Sequence, residues 1–165
     1  GGTGAESLNT FVDRVRDTWK QKWNIVHLTG QGKEGSRYDK RDSRYAVMDF
    51  AGDKMLDAYA LADVVICRAG MGTLSELAAL KKTAVVVPIP ESHQEDNARF
   101  LEDRKAIRVI PQTDPAFDQR VETEVAELLA SENERHALGG RLSEVLPTDD
   151  GRGLAMKIKS VLAGE

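Results

Sequence analysis

Short apolar runs alternate with longer amphipathic stretches along the chain. Several of the runs are rich in β-branched residues and apolar at consecutive positions, as strands buried on both faces of a parallel sheet are. The predicted strands are residues 23–28, 45–48, 64–67, 83–87 and 107–110. Apolar residues at helical spacing predict helices between and after them. The predicted helices are residues 5–19, 54–60, 73–80, 96–104, 118–130, 132–144 and 151–162.

This alternation predicts an α/β fold, a doubly wound parallel sheet of the Rossmann-like kind with right-handed crossovers. The polar segment 30–44 is predicted to be a surface loop with a solvated, charged face. At the front, Gly2, Thr3 and Gly4 lead directly into a helix, as a phosphate-cradling turn does. Because such a turn normally follows a strand, we expect the first strand of the fold to be missing from the chain.

The composition is that of one globular domain, which we assign to residues 1–165. The net charge of −4 gives no electrostatic reason to expect a nucleic acid as a partner. The one cysteine, Cys67, is interpreted as a small buried hydrophobic residue and fits a reducing cytoplasm. No apolar run approaches the roughly 18 residues of a membrane span.

The segment DVVICRAGMGTLSE, residues 63–76, carries the strongest chemical signal. Its predicted strand runs into a turn made of Arg68, Ala69, Gly70, Met71 and Gly72. Glycines let the backbone turn sharply and let an anion approach the amides at a helix start, which we expect near Thr73. Glu76 lies one turn further and can accept hydrogen bonds from a ribose diol, while Arg68 can neutralise a diphosphate. Alternatively, Thr73 is a simple N-cap and Glu76 a first-turn charge.

The segment VVVPIPESHQEDNARF provides a second signal after the next buried strand. His93, Gln94 and Asn97 fall within one helical turn and can face a common ligand. The Gln94 amide offers both a donor and an acceptor, which suits sugar hydroxyls. The competing interpretation is a polar helix start capped by Ser92.

Phe50 and Ala51 follow the strand 45–48 directly. The Phe50 ring is a candidate neighbour of a nucleotide base, and the Ala51 peptide is a candidate partner for the edge of that base. A phenylalanine packed in the core is the alternative interpretation of Phe50.

Taken together, VVICRAGMGTLSELAAL, VVVPIPESHQEDNARFL and NIVHLTGQGK resemble the carboxyl-terminal domain of the MurG family, the undecaprenyldiphospho-muramoylpentapeptide β-N-acetylglucosaminyltransferases. The resemblance extends over nearly the whole chain. It implies the carboxyl-terminal half of a two-domain glycosyltransferase of the GT-B fold. Such a half binds UDP-N-acetylglucosamine, and the full enzyme adds N-acetylglucosamine to lipid I with inversion to make lipid II.

The resemblance also implies roles for individual residues. Glu76 corresponds to the glutamate that holds the ribose diol. Phe50 and Ala51 match the segment that holds uracil. The remaining donor-binding residues match the surroundings of the diphosphate and the sugar. They are Gly2, Thr3 and Gly4, Arg68, Gly70 and Gly72, Thr73 with the amides of Met71 to Leu74, and His93, Gln94 and Asn97.

Within this resemblance the chain lacks the acceptor domain and the general base that this domain supplies. We therefore expect no catalytic residue here, no obligatory metal or cofactor, and at best weak UDP-sugar binding by the chain alone. The lipid-linked acceptor is expected to bind the missing amino-terminal domain. The full protein is expected in the cytoplasm or peripherally at the cytoplasmic face of the cell membrane.

Other functions are compatible with parts of the pattern. The chain could be the donor-binding subunit of a two-component transferase that makes an N-acetylglucosaminyl diphospholipid, or belong to a glycolipid glucosyltransferase. A non-catalytic scaffold domain is disfavoured because it does not need Thr73, Glu76 and Gln94 together. A dinucleotide-dependent oxidoreductase is disfavoured because no acidic residue stands convincingly at the end of the second strand to hold an adenosine ribose.

Overall fold

A computed structural model describes residues 5–30, 42–49 and 51–147. The helices are α1 (Glu6–Trp19), α2 (Met55–Leu61), α3 (Met71–Ala79), α4 (His93–Glu102), α5 (Phe117–Ala130) and α6 (Glu132–Val145). The strands are β1 (Ile25–Leu28), β2 (Tyr45–Met48), β3 (Val64–Cys67), β4 (Thr83–Val86) and β5 (Arg108–Val109). A 3-10 turn, Gly52–Lys54, precedes α2. The predicted helix 151–162 and most of the predicted loop 30–44 lie outside the described residues.

The strand pairings among the described residues are all parallel, which confirms the predicted α/β class. Strand β1 pairs with β2, and β3, β4 and β5 form a second hydrogen-bonded group in that order. In register, Val64 of β3 lies opposite Thr83 of β4. The prediction described one doubly wound sheet, whereas hydrogen bonds here define two groups; side chains of β1 and β3 nevertheless pack into one core cluster.

Helices cover both faces of the strands, as a doubly wound fold requires. Consecutive residues of β4 point to opposite sides, so Val85 packs in one core cluster and Val86 in the other. The Val86 cluster contains residues of α2, α3 and α4, and the Val85 cluster contains residues of α1 and α5. The carboxyl ends of the parallel strands are left to face the loops that precede the next helices.

Two helices begin earlier than the sequence pattern predicts. Helix α3 starts at Met71 with Gly70 as its N-cap, and α4 starts at His93 with Ser92 as its N-cap. The Ser92 hydroxyl accepts the Gln94 backbone N–H at 3.2 Å, which is the capping interaction that the alternative interpretation of this segment expected. Both helix starts therefore lie closer to the strand ends than predicted.

In the part of the chain that the structure describes, no helix is both long and apolar enough to cross a membrane.

Candidate functional site

A cleft of about 370 Å³ opens at the carboxyl ends of the three strands β3, β4 and β5. Because these strands are parallel, the segments that follow them meet at one edge of the sheet. The first turns of α1, α3 and α4 border the same space. The lining residues are Ala5, Glu6, Ser7, Arg68, Gly70, Thr73, Ile89, Pro90, Gln94 and Gln112.

The start of α3 presents backbone amides on this edge. The first helical residues are Met71, Gly72 and Thr73, whose N–H groups precede the first bond of the helix ladder. The amide of Leu74 already donates to the Gly70 carbonyl at 3.0 Å, and the Leu74 side chain is fully buried. Of the amides assigned to a phosphate cradle, those of Met71 to Thr73 are consequently the ones available to a ligand.

Neither packing nor backbone conformation explains the two glycines of this turn. A Cβ placed on Gly70 or on Gly72 would meet no atom within 4 Å. Gly70 has a φ of −74°, which any residue adopts, and Gly72 lies in the first turn of a helix, where glycine is unfavourable. An open approach to the backbone is the property that the two glycines provide.

Arg68 lies at the end of β3 and joins several segments around the cleft. Its Nη1 donates to the carbonyls of Val87 at 2.9 Å and Pro88 at 3.0 Å. Its Nη2 donates to Gln112 Oε1 at 2.5 Å and to Ser7 Oγ. All of these acceptors are neutral, and Arg68 forms no salt bridge within residues 5–30, 42–49 and 51–147. Burial lowers the pKa of the Arg68 guanidinium, but an arginine stays charged at neutral pH.

Because the Nη hydrogens of Arg68 are engaged, its effect on a ligand in this conformation is that of a nearby positive charge. Its Nε is buried and has no hydrogen-bond partner among the described residues. The family resemblance predicts that Arg68 lies near the diphosphate and the sugar. In the structure Arg68 lies in the wall of the cleft, where it ties the β4–α4 segment to α1 and to the segment after β5.

Glu76 lies on the exposed side of α3, one turn after Thr73. Its Oε2 accepts a hydrogen bond from the hydroxyl of Tyr59 at 2.9 Å. Tyr59 belongs to α2 and is only 6 % exposed. Burial and the neighbouring Glu76 carboxylate raise the pKa of Tyr59 above its ordinary value, so the phenol remains a donor at neutral pH.

Gln94 and Asn97 together hold the backbone N–H and carbonyl of one residue in the β3–α3 turn, Ala69. Gln94 Oε1 accepts from the amides of Ala69 at 3.1 Å and Ile89 at 3.3 Å. Asn97 Nδ2 donates to the Ala69 carbonyl at 3.0 Å. The oxygen of Gln94 is thus engaged with the protein, and its Nε2 is the group left to contact a ligand. His93 is exposed in the same first turn but does not line the cleft.

The remaining candidates lie elsewhere or outside the described residues. Ala51 is 6 % exposed, and its carbonyl accepts the Lys54 N–H at 2.9 Å in the turn that leads into α2. Gly2, Thr3, Gly4 and Phe50 are outside the described residues. Cys67 packs against the core, and burial raises the pKa of its thiol to about 12, as expected for an unreactive cysteine.

Three residues that contribute to this region were not predicted from the sequence: Tyr59, Ser7 and Gln112. Gln112 comes shortly after β5, so the rule that parallel strands end at one edge was a usable signal for it. Ser7 stands in the first turn of α1, which the glycine-rich start of the chain already marked. For Tyr59 the sequence offers no comparable signal, because its contact joins two helices.

Comparison with known protein families gives a match to the glycosyltransferase family 28 C-terminal domain over residues 1–140. The chain is 39 % identical over 140 residues to the UDP-N-acetylglucosamine--N-acetylmuramyl-(pentapeptide) pyrophosphoryl-undecaprenol N-acetylglucosamine transferase of Chromohalobacter salexigens. That alignment covers 80 % of this chain and 38 % of the relative. The enzyme of the same name from Pasteurella multocida is 36 % identical over 125 residues, which are 73 % of this chain and 35 % of the relative.

Among solved structures, the crystal structure of MurG from Acinetobacter baumannii superposes with a TM-score of 0.76 at 27 % sequence identity. The superposition covers 97 % of this chain and 48 % of that protein. The chain therefore spans about half of the solved relative and less than two fifths of the two curated relatives.

Proposed function

The chain belongs to the glycosyltransferase family 28 C-terminal domains, and from this membership we propose that it is the UDP-N-acetylglucosamine-binding part of an inverting glycosyltransferase. The full enzyme transfers N-acetylglucosamine to lipid I and produces lipid II for peptidoglycan. The names of the curated relatives support this donor and a lipid-linked acceptor. The acceptor binds a part of the protein outside this chain, at the cytoplasmic face of the membrane.

One observation carries the proposal: the Arg68 cation and the first turns of three helices border the same cleft. The N-terminus of a helix carries a partial positive charge, and it attracts anions. Arg68 adds a full charge that no salt bridge to a described residue compensates. Glu6 contributes a carboxylate to the cleft wall, yet the balance of these charges favours an anion such as a diphosphate. Open space beside Gly70 and Gly72 gives that anion access to the backbone.

In the proposed complex, each part of the donor has its own residues. The amides of Met71 to Thr73 hold the diphosphate, with Gly2, Thr3 and Gly4 near it. Glu76 accepts hydrogen bonds from the ribose diol. Phe50 and the Ala51 peptide hold uracil. Gln94, with His93 and Asn97 beside it, contacts the sugar, and the free Nε2 of Gln94 donates to an oxygen of N-acetylglucosamine.

The proposed reaction is a direct displacement at the anomeric carbon. The acceptor hydroxyl forms the new bond on one face of the sugar, the bond to UDP breaks on the other, and the configuration inverts. A base from the remainder of the protein removes the hydroxyl proton. This chain stabilises the negative charge that develops on UDP, through the α3 amides and Arg68. These groups supply the stabilisation without an obligatory metal or cofactor.

A titration followed by amide NMR tests the proposal. We expect UDP-N-acetylglucosamine to shift the resonances of residues 70–76 and 93–97, with smaller effects from UDP-glucose and none from NADH. Helix α5 carries a shallow surface depression lined by Ala116, Gln119, Arg120, Thr123 and Glu124, and these residues serve as an internal control that should not respond. A response to NADH alone, or none to any UDP ligand in a folded sample, contradicts the proposed function.

A further inference from the structure

Tyr59 combines a buried ring with a hydroxyl that reaches an exposed carboxylate. The ring packs in the core cluster that also contains Leu74 and Leu77 of α3, so α2 fixes its position. The hydroxyl donates to Glu76 Oε2 at 2.9 Å and also interacts with the Thr73 side chain. A buried tyrosine needs a partner for its hydroxyl, and here that partner is the residue assigned to the ribose.

We propose that Tyr59 is a positioning residue for the nucleotide ribose: its hydroxyl holds the Glu76 carboxylate in the orientation that accepts the two ribose hydroxyls. This inference rests on the proposed function, because it takes the ligand of Glu76 to be the ribose of a uridine nucleotide. Tyr59 itself does not touch the ligand. It acts on the ribose through Glu76.

The physical reason is preorganisation. An exposed glutamate samples several side-chain rotamers, and binding a ligand removes that freedom at a cost in affinity. The Tyr59 hydroxyl removes much of the freedom before the ligand arrives. An ionised carboxylate has about four acceptor positions. One is used by Tyr59 on Oε2, so Oε1 and the second lone pair of Oε2 remain for the 2′ and 3′ hydroxyls.

The placement of Tyr59 also connects two parts of the proposed nucleotide site. Helix α2 follows Ala51, the candidate for contacting the base, through the turn Gly52–Lys54. Tyr59 then reaches from α2 to α3, where Thr73 and Glu76 face the phosphates and the ribose in the proposed complex. A single helix thereby sets the spacing between the base and ribose contacts.

The test compares two ligands on the purified chain, UDP and 2′-deoxy-UDP. Tyr59→Phe removes the hydroxyl and keeps the ring. We expect this variant to fold, because a water molecule can replace the lost hydroxyl as a hydrogen-bond donor to the exposed Glu76 carboxylate. It should weaken UDP binding roughly 3- to 10-fold, measured by calorimetry or NMR titration. The loss of affinity should be smaller for 2′-deoxy-UDP, because this ligand offers Glu76 one hydroxyl donor instead of two. A tyrosine that only supported the fold would affect both ligands equally.

Two further variants make the result specific. Tyr45→Phe removes another buried tyrosine hydroxyl, one bonded to His27, and should leave both dissociation constants unchanged. In a Glu76→Gln background, adding Tyr59→Phe should change UDP affinity less than it does in the unsubstituted chain. Equal losses for both ligands, or no loss, overturn the positioning role and leave the proposed function in place. Failure of the unsubstituted chain to bind UDP overturns the proposed function, and the inference with it.

Discussion

At the scale of single residues, three of the candidate donor-binding side chains share a property: Gln94, Glu76 and Arg68 are each held by the protein before any ligand binds. Gln94 is fixed through its oxygen, Glu76 through Tyr59, and Arg68 through several acceptors. These hydrogen bonds to the protein limit which atom each residue can offer to a ligand. Gln94 was predicted to offer both a donor and an acceptor, and its fixed oxygen restricts it to donating.

His27 shows the same principle away from the cleft. It lies in a buried chain of hydrogen bonds between α1, β1 and β2. Asn9 Nδ2 donates to the Thr29 carbonyl at 2.8 Å, so Asn9 Oδ1 accepts from His27 Nε2 at 3.0 Å. The Tyr45 hydroxyl then donates to His27 Nδ1 at 2.6 Å. This arrangement fits a neutral imidazole with its proton on Nε2.

We predict from this network that the chain loses stability between pH 7 and pH 4. Burial lowers the pKa of His27 from 6.5 to about 4; the charge of Arg16 acts in the same direction and that of Asp13 opposes it. As the pH falls through 6.5, His27 takes up a proton in the unfolded chain but stays neutral in the folded chain. The free energy of unfolding therefore falls with pH, by at most about 3 kcal/mol from this group. Urea denaturation at a series of pH values measures it.

His27→Gln should flatten the stability profile between pH 7 and pH 4 while lowering stability at neutral pH. The matched control is His136→Gln, because the His136 side chain is exposed on α6. The control should keep the slope of the unsubstituted chain. An unchanged slope in His27→Gln would refute the assignment of this pH dependence to His27.

At the scale of elements, the sequence pattern predicted the strands better than the helix starts. The strands 45–48 and 64–67 were predicted with their observed bounds, because β-branched and aromatic residues change abruptly to polar ones there. Helices α3 and α4 begin at Met71 and His93 instead of Thr73 and Asp96. Their first turns are polar or glycine-rich since they face the cleft, so apolar periodicity begins only later.

The spacing of apolar residues along the sequence did not predict which helices and strands contact one another. The pattern placed Arg68, Thr73 and Gln94 at strand ends and helix starts, and the structure brings these three to one cleft. It gave no indication that Tyr59 meets Glu76, because that contact depends on how α2 packs against α3. The sequence thus located the candidate site, while the partners that orient its side chains required the packed structure.

The packing of α3 against α6 depends on one glycine. A Cβ on Gly139 would lie 2.0 Å from the Lys81 carbonyl oxygen and 2.6 Å from its carbon, both backbone atoms just after α3. We predict that Gly139→Ala lowers the free energy of unfolding by about 1–3 kcal/mol, because α6 must move away from this backbone. The urea midpoint measures the effect.

Gly140→Ala is the matched control on the same helix. A Cβ there meets no atom within 4 Å, so the substitution should raise stability by up to about 1 kcal/mol through helix propensity. The two neighbouring substitutions should therefore have opposite signs. If both stabilise the chain, α3 and α6 do not approach as closely as the structure has them.

At the scale of the whole molecule, the contact between α3 and α6 at Gly139 and the cleft lie at opposite ends of α3. The Gly139 contact lies beyond the carboxyl end of α3, at Lys81, whereas Thr73 lies in its first turn. The helix rises roughly 9 Å from Thr73 to its end at Ala79, and Lys81 lies two residues further on. Sites separated in this way usually contribute independently to stability. Substitutions at the Gly139 contact should accordingly change the free energy of unfolding and leave ligand affinity intact.

This independence predicts how UDP changes stability. A ligand that binds only the folded chain raises the free energy of unfolding, by about 2.7 kcal/mol at 100 times its dissociation constant. In urea denaturation with and without UDP, the unsubstituted chain and Gly139→Ala should gain the same increment, although their starting stabilities differ. Glu76→Ala should start below the unsubstituted chain, because it leaves the buried Tyr59 hydroxyl without its carboxylate partner, and it should gain less at the same UDP concentration. If Gly139→Ala also lost its increment, the α3–α6 contact would be energetically coupled to the cleft, and α3 would have to be treated as part of the site along its whole length.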